Sequence, residues 1–284
     1  MQVYELLRDT FIEMGLMDIG LVTGSPSKTV ITDANAGLTA DLLINGTLMA
    51  LGTGEFQRIS DNTATTITID TALAASASTG DSYGFIKDEF KTPELIFYVN
   101  MALRKIGNIG VTDTSTTTAA SKTEYDLPKA IKAGNIRGVY INGKTDDLND
   151  YQWIPIPNWR IQPSTAGSVA TIIFKEQYVA SRTILIEYIG LHAAVTAYSS
   201  EIDEAIHPDL AKAALKLTLA NRRTERASGQ DDGFNQLYNK LKDEFDEAVV
   251  RHPIAIPDRT SKIFQGRGTS IYPDVGEPNK VDLS

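Results

Sequence analysis

The sequence predicts an α+β fold: a discontinuous bundle of about four helices, two inserted antiparallel β regions and an extended C-terminal arm. Three observations predict it. Apolar residues recur at steps of three and four in four stretches that lie far apart in the chain. Between these stretches, Gly, Ser and Thr punctuate short apolar runs that alternate at period two. Past Arg251 neither period persists. The division that follows is 1–19, 88–110 and 200–251 for the helical core, 20–87 for the first β region, 111–199 for the second and 252–284 for the arm.

The first helix places Val3, Leu6, Leu7, Phe11 and Met14 on one face and stops near Gly15. In the first β region, Ile67 and Ile69 of "TTITID" alternate with Thr66, Thr68 and Asp70, as in a strand with one wet face. "ING" and "GTG" read as turns, and the region holds about five strands. The second helix is expected to open with Thr92 as N-cap, Pro93 at its first position and Glu94 in its first turn. Leu95, Ile96, Val99, Leu103 and Ile106 form its stripe, and Gly107 ends it.

Residues 111–122, "VTDTSTTTAASK", read as a polar loop. From "TEYDLP" onward the β pattern returns, with Ile172, Phe174, Ile184, Ile186 and Tyr188 as core candidates and both tryptophans, Trp153 and Trp159. The third helix then aligns Leu210, Ala213, Ala214, Leu217 and Ala220, with Arg222, Arg223 and Arg226 at its C-terminal end, where the helix dipole favours cations. Ser228-Gly229 breaks it. Asp231 and Asp232 open the fourth helix, which carries Phe234, Leu237, Leu241, Phe245 and Ala248, so the two form an antiparallel hairpin.

The last stretch, "HPIAIPDRTSKIFQGRGTSIYPDVGEPNKVDLS", is either disordered or an arm that orders against a partner. Ile254, Ile256, Phe264, Ile271 and Tyr272, spaced among polar residues, are its candidate anchors for a partner or a neighbouring subunit. Fully extended, about 33 residues reach roughly 110 Å.

Composition narrows the function. With 284 residues, 42% hydrophobic and 22% charged, the chain has the balance of a folded globular protein. No apolar run approaches the roughly 18–20 residues that cross a bilayer, and "MQVYELLRDTF" lacks the basic-then-apolar pattern of a secretory leader. Without cysteine there are no disulfides, thiolate metal sites or cysteine nucleophiles. A net charge of −9 opposes a grip on nucleic-acid phosphates and suits a surface past which DNA slides.

Catalytic patterns are sparse. His192, His207 and His252 are not spaced as metal ligands on one element, so no cofactor or metal is expected. The glycines of "GTGEFQ" lack the third member of a dinucleotide fingerprint and read as a turn. Neither a phosphate-binding loop nor a GxSxG elbow occurs. Asp243, Glu244, Asp246 and Glu247 read as a solvated acidic face rather than a paired-carboxylate site. Arg222, Arg223 and Arg226 either contact DNA, end the helix in solvent, or pair with Asp243, Glu244 and Glu247 between helices or subunits.

The order of parts is informative beyond the individual elements. "GTGEFQRI…TGDSYGF", the helix "ELIFYVNMALRKIG", the segment "EYDLP", strands ending "ILIEYIGLH" and a helix pair opening "SSEIDEAIHPDL" together resemble head-to-tail connector (adaptor) proteins of tailed bacteriophages, over about residues 1–250. The resemblance implies a helical hub, a ring commonly of twelve copies docked under the portal, a C-terminal segment reaching the portal, and a channel that passes DNA to a downstream tail or stopper protein without binding it specifically. It implies no enzyme activity, no cofactor, no membrane, and assembly in the bacterial cytoplasm into the neck of the virion. The alternatives are another neck or tail component, such as a stopper, tail terminator or baseplate protein, and, more remotely, a glycan hydrolase using carboxylates such as Asp70, Asp81 and Glu187.

Overall fold

The computed structural model describes residues 1–143, 153–163, 169–226 and 232–256, apart from the side chains of 133, 224–226, 232 and 234. Ser228-Gly229, the side chains of Arg226 and Phe234, and the anchors Phe264, Ile271 and Tyr272 lie outside the described residues. The fold is α+β, with four helices and antiparallel sheets among those residues. The described residues divide into two compact units, Met1–Gly107 with Leu191–Ile254, and Asn108–Gly190 with Ala255 and Ile256.

In the first unit, α1 (Val3–Glu13) starts where the Gln2 backbone N–H donates to Glu5 Oε2 at 2.7 Å. Val3, Leu6, Leu7 and Phe11 are fully buried, each contributing about 1.5–3 kcal/mol of apolar burial. Strands β1 (Asp18–Leu21), β2 (Val30–Thr32), β3 (Thr47–Ala50), β4 (Glu55–Asn62), β5 (Thr66–Ile69) and β6 (Ser82–Ile86) form one sheet in the order β1-β6-β3-β4-β5-β2. The sheet has six strands, not five. The additional one is β1, only four residues long, which begins inside the stretch expected to belong to the helices. Along β5, Ile67 and Ile69 are buried while Thr66 and Thr68 are half-exposed. "GTG" is the hairpin turn between β3 and β4.

Helix α2 (Thr92–Ile106) begins one residue earlier than expected, with Lys91 in the N-cap position, and closes at Gly107, whose φ of +96° favours glycine. The hydroxyl of Thr92 instead shares a 2.8 Å hydrogen bond with that of Thr47 on β3. Helices α3 (Pro208–Arg226) and α4 (Asp232–Arg251) pack on each other, and α3 also packs on α1 and α2. Hence Leu210, Ala213, Ala214, Leu217 and Ala220 are buried, and so are Ala211, Leu215 and Leu219 on the other side of α3. A helix covered on several sides is apolar nearly all round.

The first β region is not free of the helices. Phe56 of β4 stacks on Tyr198 with ring centroids 4.5 Å apart. Phe90, just before α2, meets Phe11 of α1 at 5.5 Å. Gly54, with φ +71°, lies so close to Tyr4 that an added Cβ would sit 2.6 Å from its ring. The chain after the second β region returns across the same unit. Tyr198 and Ser200 carbonyls accept from the Tyr4 and Val3 N–H groups, and the Asn100 side chain bonds both backbone groups of Val195.

The second unit holds β7 (Asn108–Thr117), β8 (Glu124–Asp126), β9 (Ile136–Asn142), β10 (Trp153–Pro155), β11 (Trp159–Gln162), β12 (Thr171–Phe174) and β13 (Thr183–Leu191), the last residue of which belongs to the first unit. They form a four-stranded sheet, β10-β9-β13-β7, and a three-stranded one, β11-β12-β8. Both line one core containing Tyr125, Trp159, Ile172, Phe174, Ile184 and Ile186, with Tyr188 packed against it. Most of the stretch 111–122, expected as a loop, belongs to strand β7. Its threonines are β-branched and suit a strand, and an edge strand needs few apolar side chains.

Candidate functional site

A polar seam joins α1, α3 and α4. Lys212 and Lys216 stand one turn apart on α3, so both ammonium groups reach the same carboxylate at the end of α1. Glu13 Oε1 lies 2.9 Å from Lys212 Nζ, and Glu13 Oε2 lies 2.8 Å from Lys216 Nζ. Lys216 also pairs with Glu244 of α4 at 2.9 Å. Burial works against ionisation of Glu13, but hydrogen bonds and charge from Lys216 and Lys212 outweigh it and hold its carboxyl below the ordinary value. For Lys216, burial opposes the charge while Glu13 and Glu244 more than restore it, so its pKa rises. Lys212 is raised chiefly by its hydrogen bond with Glu13. The seam borders a cavity of about 170 Å³ that also touches Asp209, Arg251 and His252.

The charged residues singled out in the sequence are therefore distributed differently from a simple α3–α4 ladder. Arg223 pairs with Glu89, ahead of α2, at 2.6 Å. Arg222 hydrogen-bonds Tyr98 of α2. Glu244 does bridge α3 and α4, through Lys216 rather than an arginine. Glu247 pairs with Arg251 one turn along its own helix, and Asp243 is exposed. The i, i+4 spacing of Lys212 and Lys216 is visible in the sequence, but they were missed because the carboxylate that gives it meaning, Glu13, lies 199 residues from Lys212.

On the opposite flank of α3, a hollow of about 330 Å³ lies between α2 and α3, lined by Glu94, Phe97, Tyr98, Met101, Thr218 and Arg222. Tyr98 donates to Glu94 Oε2 at 2.6 Å. Burial, then this hydrogen bond, pushes the Tyr98 phenol up. Phe97 stands 61% exposed at the rim, a large aromatic left in water. At the end of α4, Val249 and Val250 are also exposed, Val250 at 81%.

Of the arm's anchors, Ile254 packs on Leu210, Ala213 and Ala248 of its own chain, and Ile256 is 46% exposed. The carboxylates weighed for hydrolysis have local tasks. Asp70 pairs with Arg58 at 3.3 Å, Asp81 accepts the Ser78 N–H at 2.7 Å, and Glu187 accepts the Tyr140 hydroxyl at 3.1 Å. Glu187 belongs to the second unit, Asp70 and Asp81 to the first. No helix among the described residues is long and apolar enough to cross a membrane. No protein-family model and no curated protein matches this chain.

Proposed function

We propose that this chain is a structural virion protein, a head-to-tail adaptor that assembles as a ring under the portal of a tailed bacteriophage and continues the DNA channel towards the tail. The observation that carries the reading is the exposed apolar set on the helical unit, Phe97 with the hollow beside it and Val249–Val250 at the end of α4. They lie towards opposite ends of α3, Phe97 near Arg222 and Val249–Val250 near the His207–His252 end, and in this reading each is a separate contact point for a neighbouring copy or the portal. The order of sequence elements that resembles the adaptor family supports the same reading, and a net charge of −9 suits a wall past which DNA moves without being gripped. In this reading the partners are the portal, neighbouring copies and a downstream tail or stopper protein, and the protein resides in the virion neck. The C-terminal stretch with Phe264, Ile271 and Tyr272 is the part that reaches the portal.

Mixing the purified chain with portal rings and weighing the complex by native mass spectrometry tests this. A complex carrying one fixed, ring-matched number of copies is expected. Absence of association, or a single copy per ring, would overturn it. Phe97→Ser is expected to change folding stability by less than about 0.5 kcal/mol while weakening ring assembly. Unchanged assembly would remove the α2–α3 hollow from the interface.

A further inference from the structure

The two histidine–proline pairs of the sequence, "HPDL" and "HPIA", stand 45 residues apart and bracket the helical hairpin. Pro208 opens α3, and Pro253 follows the last residues of α4. Proline favours the first helical position and disfavours helix in the residue before it. Each histidine is thus fixed at a helix boundary. The antiparallel arrangement of α3 and α4 then brings the two boundaries together, and the imidazoles of His207 and His252 lie face to face, with centroids 3.7 Å apart and planes 2° from parallel.

Asp209 completes the group. Its Oδ2 is 3.7 Å from His207 Nδ1 and 3.7 Å from His252 Nε2, while its Oδ1 is turned to Lys212 at 3.6 Å. The lysine engages one oxygen and leaves the other to the two rings. The three ligand atoms lie within 4.8 Å of one another. Ligands about 2.0–2.2 Å from a tetrahedral zinc ion are separated by roughly 3.3–3.6 Å, so the donor set needs to contract by only a few tenths of an ångström along the two measured edges.

We propose that His207, Asp209 and His252 form a binding site for a divalent transition-metal ion of the zinc class, with solvent in the remaining coordination position. Two imidazoles and one carboxylate are the donor set such ions prefer over magnesium or calcium. Metal binding needs one adjustment. An ion bound to both rings must lie near the plane of each, which parallel rings 3.7 Å apart do not permit. One imidazole must therefore turn about its Cβ–Cγ bond, and His207, with its side chain 47% exposed, has room to do so. His207 Nδ1 now accepts the Asp209 backbone N–H at 3.2 Å, capping α3, and the ion takes over that lone pair. The bound ion ties the residue after α4 to the residue before α3, next to the contact of Ile254 with Leu210 and Ala213. The site does not depend on the adaptor reading.

Calorimetric titration of the untagged full chain with Zn²⁺, alongside the visible spectrum of the Co²⁺ form, tests the proposal. His207→Asn keeps a residue that can cap a helix, and His252→Gln lies outside α4, so both variants are expected to fold, which circular dichroism verifies. His192, whose Nε2 accepts the Asp203 N–H at 2.9 Å, is the control. One Zn²⁺ per chain is expected, with affinity falling at least tenfold in His207→Asn and in His252→Gln and unchanged in His192→Gln. No binding by the wild-type chain, binding that survives both substitutions, or binding lost with His192 would each overturn the site.

Discussion

The two β regions resemble each other in sequence and differ in allegiance. Both are antiparallel, both are rich in Thr, and both leave the helices and return to them. The first belongs to the helical unit, joined to it by the Phe56–Tyr198 stack, the Thr47–Thr92 hydroxyl pair and the close seat of Gly54 on Tyr4. The second closes a core of its own around Trp159 and is a separate unit. A β insertion is therefore classified by where its large side chains are buried, not by the period of its strands. Phe56 gives its ring to an aromatic of the returning chain, whereas Trp159 gives its ring to the neighbouring strands.

The largest expected effect comes from emptying the second core. Trp159 is fully buried, and Trp159→Ala should cost about 3–5 kcal/mol within that unit. Hydrogen exchange should show protection lost from peptides in 108–190 and kept in α1–α3. Next is Phe56→Ala, which removes a ring 5% exposed and with it the stack on Tyr198. A loss of about 3 kcal/mol is expected, read in denaturant melts, with β3, β4 and the helices loosening together. Gly54→Val combines a left-handed backbone with a collision against Tyr4 and should cost about 1–3 kcal/mol in the same melts.

The smallest effect probes electrostatics inside the helical unit. Glu13→Gln should cost roughly 0.5–1 kcal/mol at pH 7, because the carboxylate is partly exposed and screened. The folded Glu13 carboxyl titrates below 4.5, so its stabilisation is present above that value and lost as pH falls through the lowered one. The raised values of Lys212 and Lys216 give the opposite limb, with stabilisation present below pH 10.5 and lost as pH rises through the raised values. Urea melts of wild type and Glu13→Gln should differ at pH 7 and converge in acid. A difference of equal size at both would assign the effect to packing instead.

How much of this was legible follows from the range of each interaction. The apolar faces of α1 and α3 were readable because a helix repeats its environment every few residues, as Val3, Leu6, Leu7 and Phe11 do. β5 was readable for the same reason at period two. β7 was not, since "VTDTSTT" lacks an apolar face and its strand character comes from pairing with β13. β1 was not, because four residues are too few to establish a period and it follows directly on the α1 stretch. The seam around Glu13 and the cluster of His207, Asp209 and His252 join residues 199 and 45 positions apart, which only the packing of α1 and α4 on α3 brings within reach. The allegiance of each β region was illegible too, because Phe56 and Trp159 look alike in one dimension and acquire their partners only in three.

The division into two units is tested most directly by hydrogen exchange of the intact chain across a denaturant series. Peptides from 1–107 and 191–254 should lose protection together, with β3–β4 following the helices, while those from 108–190 should open at a different denaturant concentration. A single transition for the whole chain, or strands β3–β6 opening apart from α1 and α3, would contradict the account.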